Sequence, residues 1–194
     1  LYFAGDLDGA SAMALRFLEH PDAGNRAPSV AVTRSVLALI AVERGQPAFA
    51  RGHAEKAKDA AGGVGISRSW VGAHASVALG VVLAAEGRLA EAERQLSSAE
   101  HLFLDEVATL NHAWLLVLLA RVRVRRGRLD EAEAALRDAR AELDELGDSG
   151  RVPAEADDAR RELETARARA RSGEVLEPPS EAELAVLRLL ATDM

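Results

Sequence analysis

The stretch AAEGRLAEAERQLSSA at residues 84–99 decides the fold, because it recurs at regular distances along the chain. Related stretches are VRRGRLDEAEAALRDA at 124–139, VERGQPAFARGHAEKA at 42–57 and YFAGDLDGASAMALRF at 2–17. Each contains one glycine at the same place: Gly5, Gly45, Gly87 and Gly127. The sequence therefore predicts a structural repeat with a period of about 40 residues, which is in the range of known helical repeats.

Each copy predicts the end of one helix and the start of the next. Glycine adopts the left-handed conformation that closes many helices at little cost. Apolar or small residues then recur at offsets 2, 5, 9 and 12 from the glycine, along one face of a helix. Alanine lies five residues after the glycine in all four copies, at Ala10, Ala50, Ala92 and Ala132. We therefore expect Ala92 and Ala132 at tight helix crossings.

The segments before the glycines also have helical patterns, over roughly residues 28–44, 67–86 and 107–126. They are apolar on more than one side, which is typical of helices buried between neighbours. The second helix of each pair carries most of the charge. The resulting prediction is an all-α fold built as an α-solenoid of helix pairs, with a generic helical bundle as the alternative.

Composition supports an all-α protein and excludes several classes. The chain is 48% hydrophobic but only 4% aromatic, and it contains forty alanines, the strongest helix former. Its net charge of −7 argues against general nucleic-acid binding. The longest apolar run, at positions 113–120, is far shorter than the ~20 residues that span a bilayer. Cysteine is absent, which fits a cytoplasmic location.

No catalytic or metal-binding pattern is present in the sequence. The glycine-rich stretch AAGGVGIS at residues 60–67 lacks the Lys of a phosphate loop, so we interpret it as a connection between helices. The five histidines are not at metal-ligand spacing, and G-x-S-x-G is absent. We predict no catalytic residues, no metal, no cofactor and no enzymatic activity.

A candidate ligand or partner site involves Trp70, His74, Trp114 and Arg121 on the first helices of two successive repeats. His74 and Trp114 hold the same position relative to the glycine that follows each of them, so stacked repeats would place them side by side. Indole rings suit sugars or apolar peptide side chains, and Arg suits an anionic group. The alternative is that both tryptophans belong to the core.

The run RVRVRRGR at residues 121–128 is the densest basic segment and allows two interpretations. It could face an anionic partner. Arg near a helix C-terminus is also favoured by the helix dipole alone.

The chain divides into a repeat region at residues 1–172, a linker at 173–180 and the start of a further helix at 181–194. Two prolines interrupt the linker. Ser180 and Glu183 then form a capping box that predicts a helix start.

Two resemblances to known families follow from these residues. The spacing A-x3-L-x2-A in AEAERQLSSA and DEAEAALRDA resembles the second helix of the tetratricopeptide repeat, whose period is about 34 residues. The terminal LEPPSEAELAVLRLLATDM resembles the opening of the helix-turn-helix domain of LuxR-type transcriptional regulators. Pro179 and Ala182 depart from that pattern, where Leu and Arg are usual. The matching residues are Ser180, Glu183, Val186, Leu187, Arg188, Leu189, Leu190 and Ala191.

A repeat region directly before a LuxR-type domain resembles the large ATP-binding regulators of the maltose-regulon activator type. The resemblance implies that residues 1–172 sense an effector, a small-molecule inducer or a protein or peptide partner, and pass the signal on. It also implies that the ATP-binding and DNA-binding domains lie outside this chain, which would contact DNA only through the latter. No membrane association is expected, and a homo-oligomer is possible. The alternative is a free-standing tetratricopeptide-like scaffold for protein–protein interaction.

Overall fold

The computed structural model describes residues 1–63, 65–104, 109–146 and 149–172, and its regular elements there are all helical. The all-α prediction is thereby confirmed. The predicted linker at 173–180 and the helix at 181–194 lie outside the described residues. The helices are α1 (Leu7–Glu19), a 3-10 helix (Ala23–Asn25), α2 (Ala27–Glu43), α3 (Pro47–Gly63), α4 (Trp70–Ala85), α5 (Leu89–Leu104), α6 (Thr109–Arg125), α7 (Leu129–Glu145) and α8 (Val152–Ser172).

Consecutive helices pack in pairs, because each buries an apolar stripe that its neighbour covers. Helix α2 packs against α3, α4 against α5, and α6 against α7, while α8 packs against both α6 and α7. The first helices α2 and α4 also contact each other. Within the described residues, no helix is both long and apolar enough to cross a membrane.

Three of the repeated glycines close the first helix of a pair, as the sequence predicts. Gly45, Gly87 and Gly127 have φ angles of 65°, 77° and 74°. In each case the next residue donates its backbone N–H to the carbonyl five positions earlier, as Arg88 does to Leu83 at 2.9 Å. This bonding is that of the Schellman motif, in which a left-handed residue satisfies the last carbonyls of the helix.

Close approach of α4 and α5 explains the alanine at position 92. Ala92 is fully buried, and its carbonyl oxygen would lie 3.3 Å from a Cβ added at Gly80. The same Cβ would lie 2.8 Å from Leu96 Cδ2. Ala50 and Ala132 are fully buried as well. The α4–α5 crossing therefore requires small residues on both helices.

Several hydrogen bonds join residues that are 41 positions apart in the sequence, close to the predicted repeat period. Tyr2 Oη donates to Glu43, Arg125 Nη1 donates to the Ala84 carbonyl, and Trp114 Nε1 donates to Glu155. The last of these attaches α8 to α6.

Candidate functional site

The indole of Trp114 lies in the interior, between α6, α8 and the N-terminal residues. It is only 5% exposed, and its Nε1 donates to Glu155 Oε2 at 2.9 Å. The rings of Tyr2 and Phe3 contact it edge-on, with centroids 5.8 and 5.4 Å away. Of the two alternatives left open by the sequence, the burial of Trp114 corresponds to a core position.

Trp70 and His74 form a separate cluster at the start of α4. Their rings meet edge-on at 5.5 Å, and His74 also contacts the ring of Phe103 at 5.2 Å. Burial lowers the pKa of His74, and hydrogen bonds to the Trp70 carbonyl and Asn111 only partly offset this. The imidazole is therefore neutral at physiological pH. Trp70 remains 41% exposed at the edge of this cluster.

Arg121 lies on α6, two helical turns beyond Trp114, and faces an open groove of about 620 Å³ between α6 and α8. We call this the arginine groove. Its charged lining residues are Arg121, Arg125, Asp158, Arg161, Glu162 and Arg169. An adjoining pocket of about 320 Å³ shares Arg121 and adds apolar walls from Leu118 and Val122.

The arginine groove carries an excess of positive charge. Arg121 Nε lies 3.4 Å from Glu162 Oε1, and Arg161 pairs with Asp158. Among the described residues, Arg125 and Arg169 have no carboxylate within ion-pair distance. Two guanidinium groups are thus uncompensated in a chain whose net charge is −7. Guanidinium groups offer planar pairs of donors that match carboxylate and phosphate oxygens.

The remaining arginines of the basic run have a structural role. Arg123, Arg126 and Arg128 surround the buried carboxylate of Glu93 on α5, with Arg128 Nη1 2.5 Å and Arg123 Nε 3.3 Å from Oε1. The run therefore serves two purposes. Arg121 and Arg125 line the groove, although Arg125 also donates to the Ala84 carbonyl at 2.8 Å, while the other three fix α5 to the end of α6 and the turn that follows it.

The structure thus brings Trp70 and His74 together but gives Trp114 and Arg121 other partners. A ligand-binding role for these four residues stays a prediction. Sequence reasoning missed the contribution of α8, whose Arg161 and Arg169 line the groove. The available signal was the spacing, because α8 carries glutamates about one repeat period after Trp114 and Arg121.

In the part of the chain that the structure describes, no three His, Asp or Glu side chains cluster where they could hold a metal ion. No family model matches the chain, and no curated protein or solved structure matches it either.

Proposed function

We propose that this chain is the effector-sensing and protein-interaction segment of a LuxR-type transcriptional regulator. The observation that carries the proposal is the arginine groove, an open site between two helices with uncompensated positive charge. We infer an effector or partner with an anionic group, bound without chemical conversion in the cytoplasm. The helix pairs would form a tetratricopeptide-like α-solenoid, which the Schellman turns and the hydrogen bonds between successive repeats support.

The position of the groove suits signal transmission. Its walls belong to α6, which is held by α7, and to α8, the last described helix. A ligand bridging Arg125 and Arg169 would favour one placement of α8 relative to α6. The linker at 173–180 follows α8 in the sequence, and residues 176–194 resemble the opening of a DNA-binding domain. Binding would thereby influence the segment that leads to that domain.

A free-standing scaffold is the second candidate, favoured by apolar surface at the other end. Met13 and Leu15 of α1 are exposed, and an apolar pocket of about 360 Å³ lies between α1 and α2. Such surface is typical of protein-interaction sites. The reading frame beyond Met194 separates the two candidates. A second amphipathic helix after an S-x-x-E-I-A pattern supports the regulator, whereas any other continuation supports the scaffold.

The groove itself is tested by titrating the full chain with inorganic pyrophosphate in a calorimeter. We expect saturable binding that weakens with added salt and is lost in Arg125→Ala/Arg169→Ala. The matched control is Arg137→Ala/Arg140→Ala, which removes two exposed arginines from α7. Equal affinity in both double variants would contradict an anion site in the groove.

A further inference from the structure

The pocket that adjoins the arginine groove extends it between two successive helix pairs. It has a volume of about 320 Å³ and shares Arg121, Arg125 and Glu162 with the groove. The rest of its wall is apolar and comes from α4, α5 and α6, through Val81, Ala84, Leu96, Leu118 and Val122. We call this the α4–α6 pocket. Because the two sites share lining residues, a charged compartment and an apolar compartment lie side by side.

The α4–α6 pocket is present because the first helices of the second and third pairs barely touch. Helices α2 and α4 pack closely against each other, whereas α4 and α6 meet at only a few residues. Val81, Ala84 and Leu118 are therefore only partly buried. Leu96 and Val122, which also line the pocket, are buried. Apolar surface in contact with water is unfavourable, so an apolar group that fills the pocket is stabilised there.

Two guanidinium groups lie at the border between the groove and the pocket. Arg125 Nη1 donates to the Ala84 carbonyl at 2.8 Å, which holds this guanidinium against α4. Arg121 Nε is buried and has no hydrogen-bond partner among the described residues, although Glu162 Oε1 lies 3.4 Å away. A buried donor without a partner is costly, and a ligand oxygen at the border removes that cost.

We propose that the effector is an amphipathic anion, a soluble small molecule with a carboxylate or phosphate head and an aliphatic tail. The head binds Arg125 and Arg169 in the arginine groove, and the tail fills the α4–α6 pocket. This inference rests on the function proposed above and adds the tail to the anionic group inferred there. Apolar walls with a few convergent polar groups are typical of small-molecule sites.

A ligand that occupies both compartments contacts three helices at once. Its tail fills the space that separates α4 from α6, and its head lies between α6 and α8. Binding would therefore favour one placement of the second helix pair and of α8 relative to α6. An anion without a tail acts on α6 and α8 alone.

The test is a calorimetric titration of the full chain with butyl, hexyl and octyl phosphate, each below its micellar concentration. We expect the affinity to rise roughly fourfold with each added methylene group, as for transfer of that group from water to an apolar site. Octyltrimethylammonium has the same tail as octyl phosphate and the opposite charge, and it should not bind. Pyrophosphate, which has no tail, should bind more weakly than octyl phosphate.

Two variants separate the head from the tail. Arg125→Ala/Arg169→Ala should lose binding of all three alkyl phosphates, and the α7 control variant should bind them as the parent does. Ala84→Leu places a larger side chain in the α4–α6 pocket and should remove the gain with tail length. Ala90→Leu, at an exposed position of α5, is its matched control and should keep that gain. If Ala84→Leu does not fold, the tail-length series on the parent chain decides the proposal by itself.

Pyrophosphate binding without any gain from butyl to octyl phosphate would overturn this inference and leave the anion site intact. Absence of binding by pyrophosphate and by every alkyl phosphate would contradict the function proposed above as well. A tail-length gain that persists in Arg125→Ala/Arg169→Ala would show nonspecific adsorption of alkyl chains and would also overturn the inference.

Vesicles of phosphatidylcholine and phosphatidylglycerol distinguish a soluble ligand from a membrane lipid. The chain should stay in the supernatant when these vesicles are sedimented. Sedimentation with the vesicles that is lost in Arg125→Ala/Arg169→Ala would show that the site takes a lipid head group, and the soluble effector would then be wrong.

Discussion

Trp114 on α6 donates its indole N–H to the carboxylate of Glu155 on α8, at 2.9 Å. Two turns further along both helices, Arg121 lies 3.4 Å from Glu162. Two contacts in the same register make α8 a neighbour of α6 along its length. Helix α8 has few large apolar residues. These two polar contacts and the burial of Val152, Ala159 and Leu163 hold it against its neighbours.

Trp114→Ala should lower the free energy of unfolding by ~3–5 kcal/mol, because it removes a buried ring and its contacts with Tyr2 and Phe3. Trp70→Ala is the matched control and should cost much less, because Trp70 is 41% exposed. Urea denaturation measures both values. Equal losses in the two variants would show that Trp114 is not a core residue.

The helices could be predicted because the residues that determine each helix lie within it or in the turn next to it. The glycines with positive φ, the small residues at the α4–α5 crossing and the charged second helices all follow from periodic patterns in the sequence. The predicted first helices differ from α2, α4 and α6 by a few residues at their ends. The largest difference is at α4, which begins at Trp70 and not at position 67, because positions 67–69 belong to the preceding turn.

Gly80→Ala should destabilise the protein although alanine is the better helix former. The new Cβ would lie 2.8 Å from two atoms of Leu96, which is fully buried, so the Leu96 side chain would have to shift out of its packed position. Gly52→Ala on α3 is the control, because a Cβ there meets nothing within 4 Å. Gly52→Ala should raise the free energy of unfolding by roughly 0.5–1 kcal/mol. Thermal melts that show stabilisation in both variants would contradict the tight crossing.

Ala132→Leu should cost ~1–3 kcal/mol, because Ala132 is fully buried at the equivalent position of the last pair. Ala168→Leu, at an exposed position of α8, should leave the melting temperature nearly unchanged. An Ala132→Leu variant that melts with the parent protein would show that the repeat register is wrong at α7.

The candidate site was harder to predict, because its residues meet only through tertiary packing. Trp114 was identified from its register on α6, yet its partners Tyr2 and Phe3 lie at the start of the chain. The excess of positive charge in the arginine groove depends on which arginines of residues 121–128 form ion pairs with carboxylates. Helical periodicity separates them by face, but only the packing of α5 places Glu93 against three of them.

Glu93→Gln should destabilise the protein by roughly 1–3 kcal/mol at neutral pH, because a buried carboxylate that accepts from several arginines is lost. Burial by itself raises the pKa of Glu93, but hydrogen bonds from Arg128, Arg123 and Arg126 outweigh it and hold the pKa below its ordinary value. Because the folded-state pKa is the lower one, the carboxylate stabilises the protein above the unfolded-state pKa of about 4.5. That contribution disappears as the pH falls through the folded-state value.

The difference in unfolding free energy between the parent and Glu93→Gln should therefore be constant from pH 7 to about pH 5.5 and shrink at lower pH. Urea denaturation at a series of pH values measures it. Glu91→Gln is the matched control on the same helix, since Glu91 pairs with Arg88 at the surface. Its effect should be smaller and should weaken with added salt, because exposed ion pairs are screened. A Glu93→Gln deficit that persists unchanged to about pH 2 would mean that the loss comes from altered packing and not from the carboxylate charge.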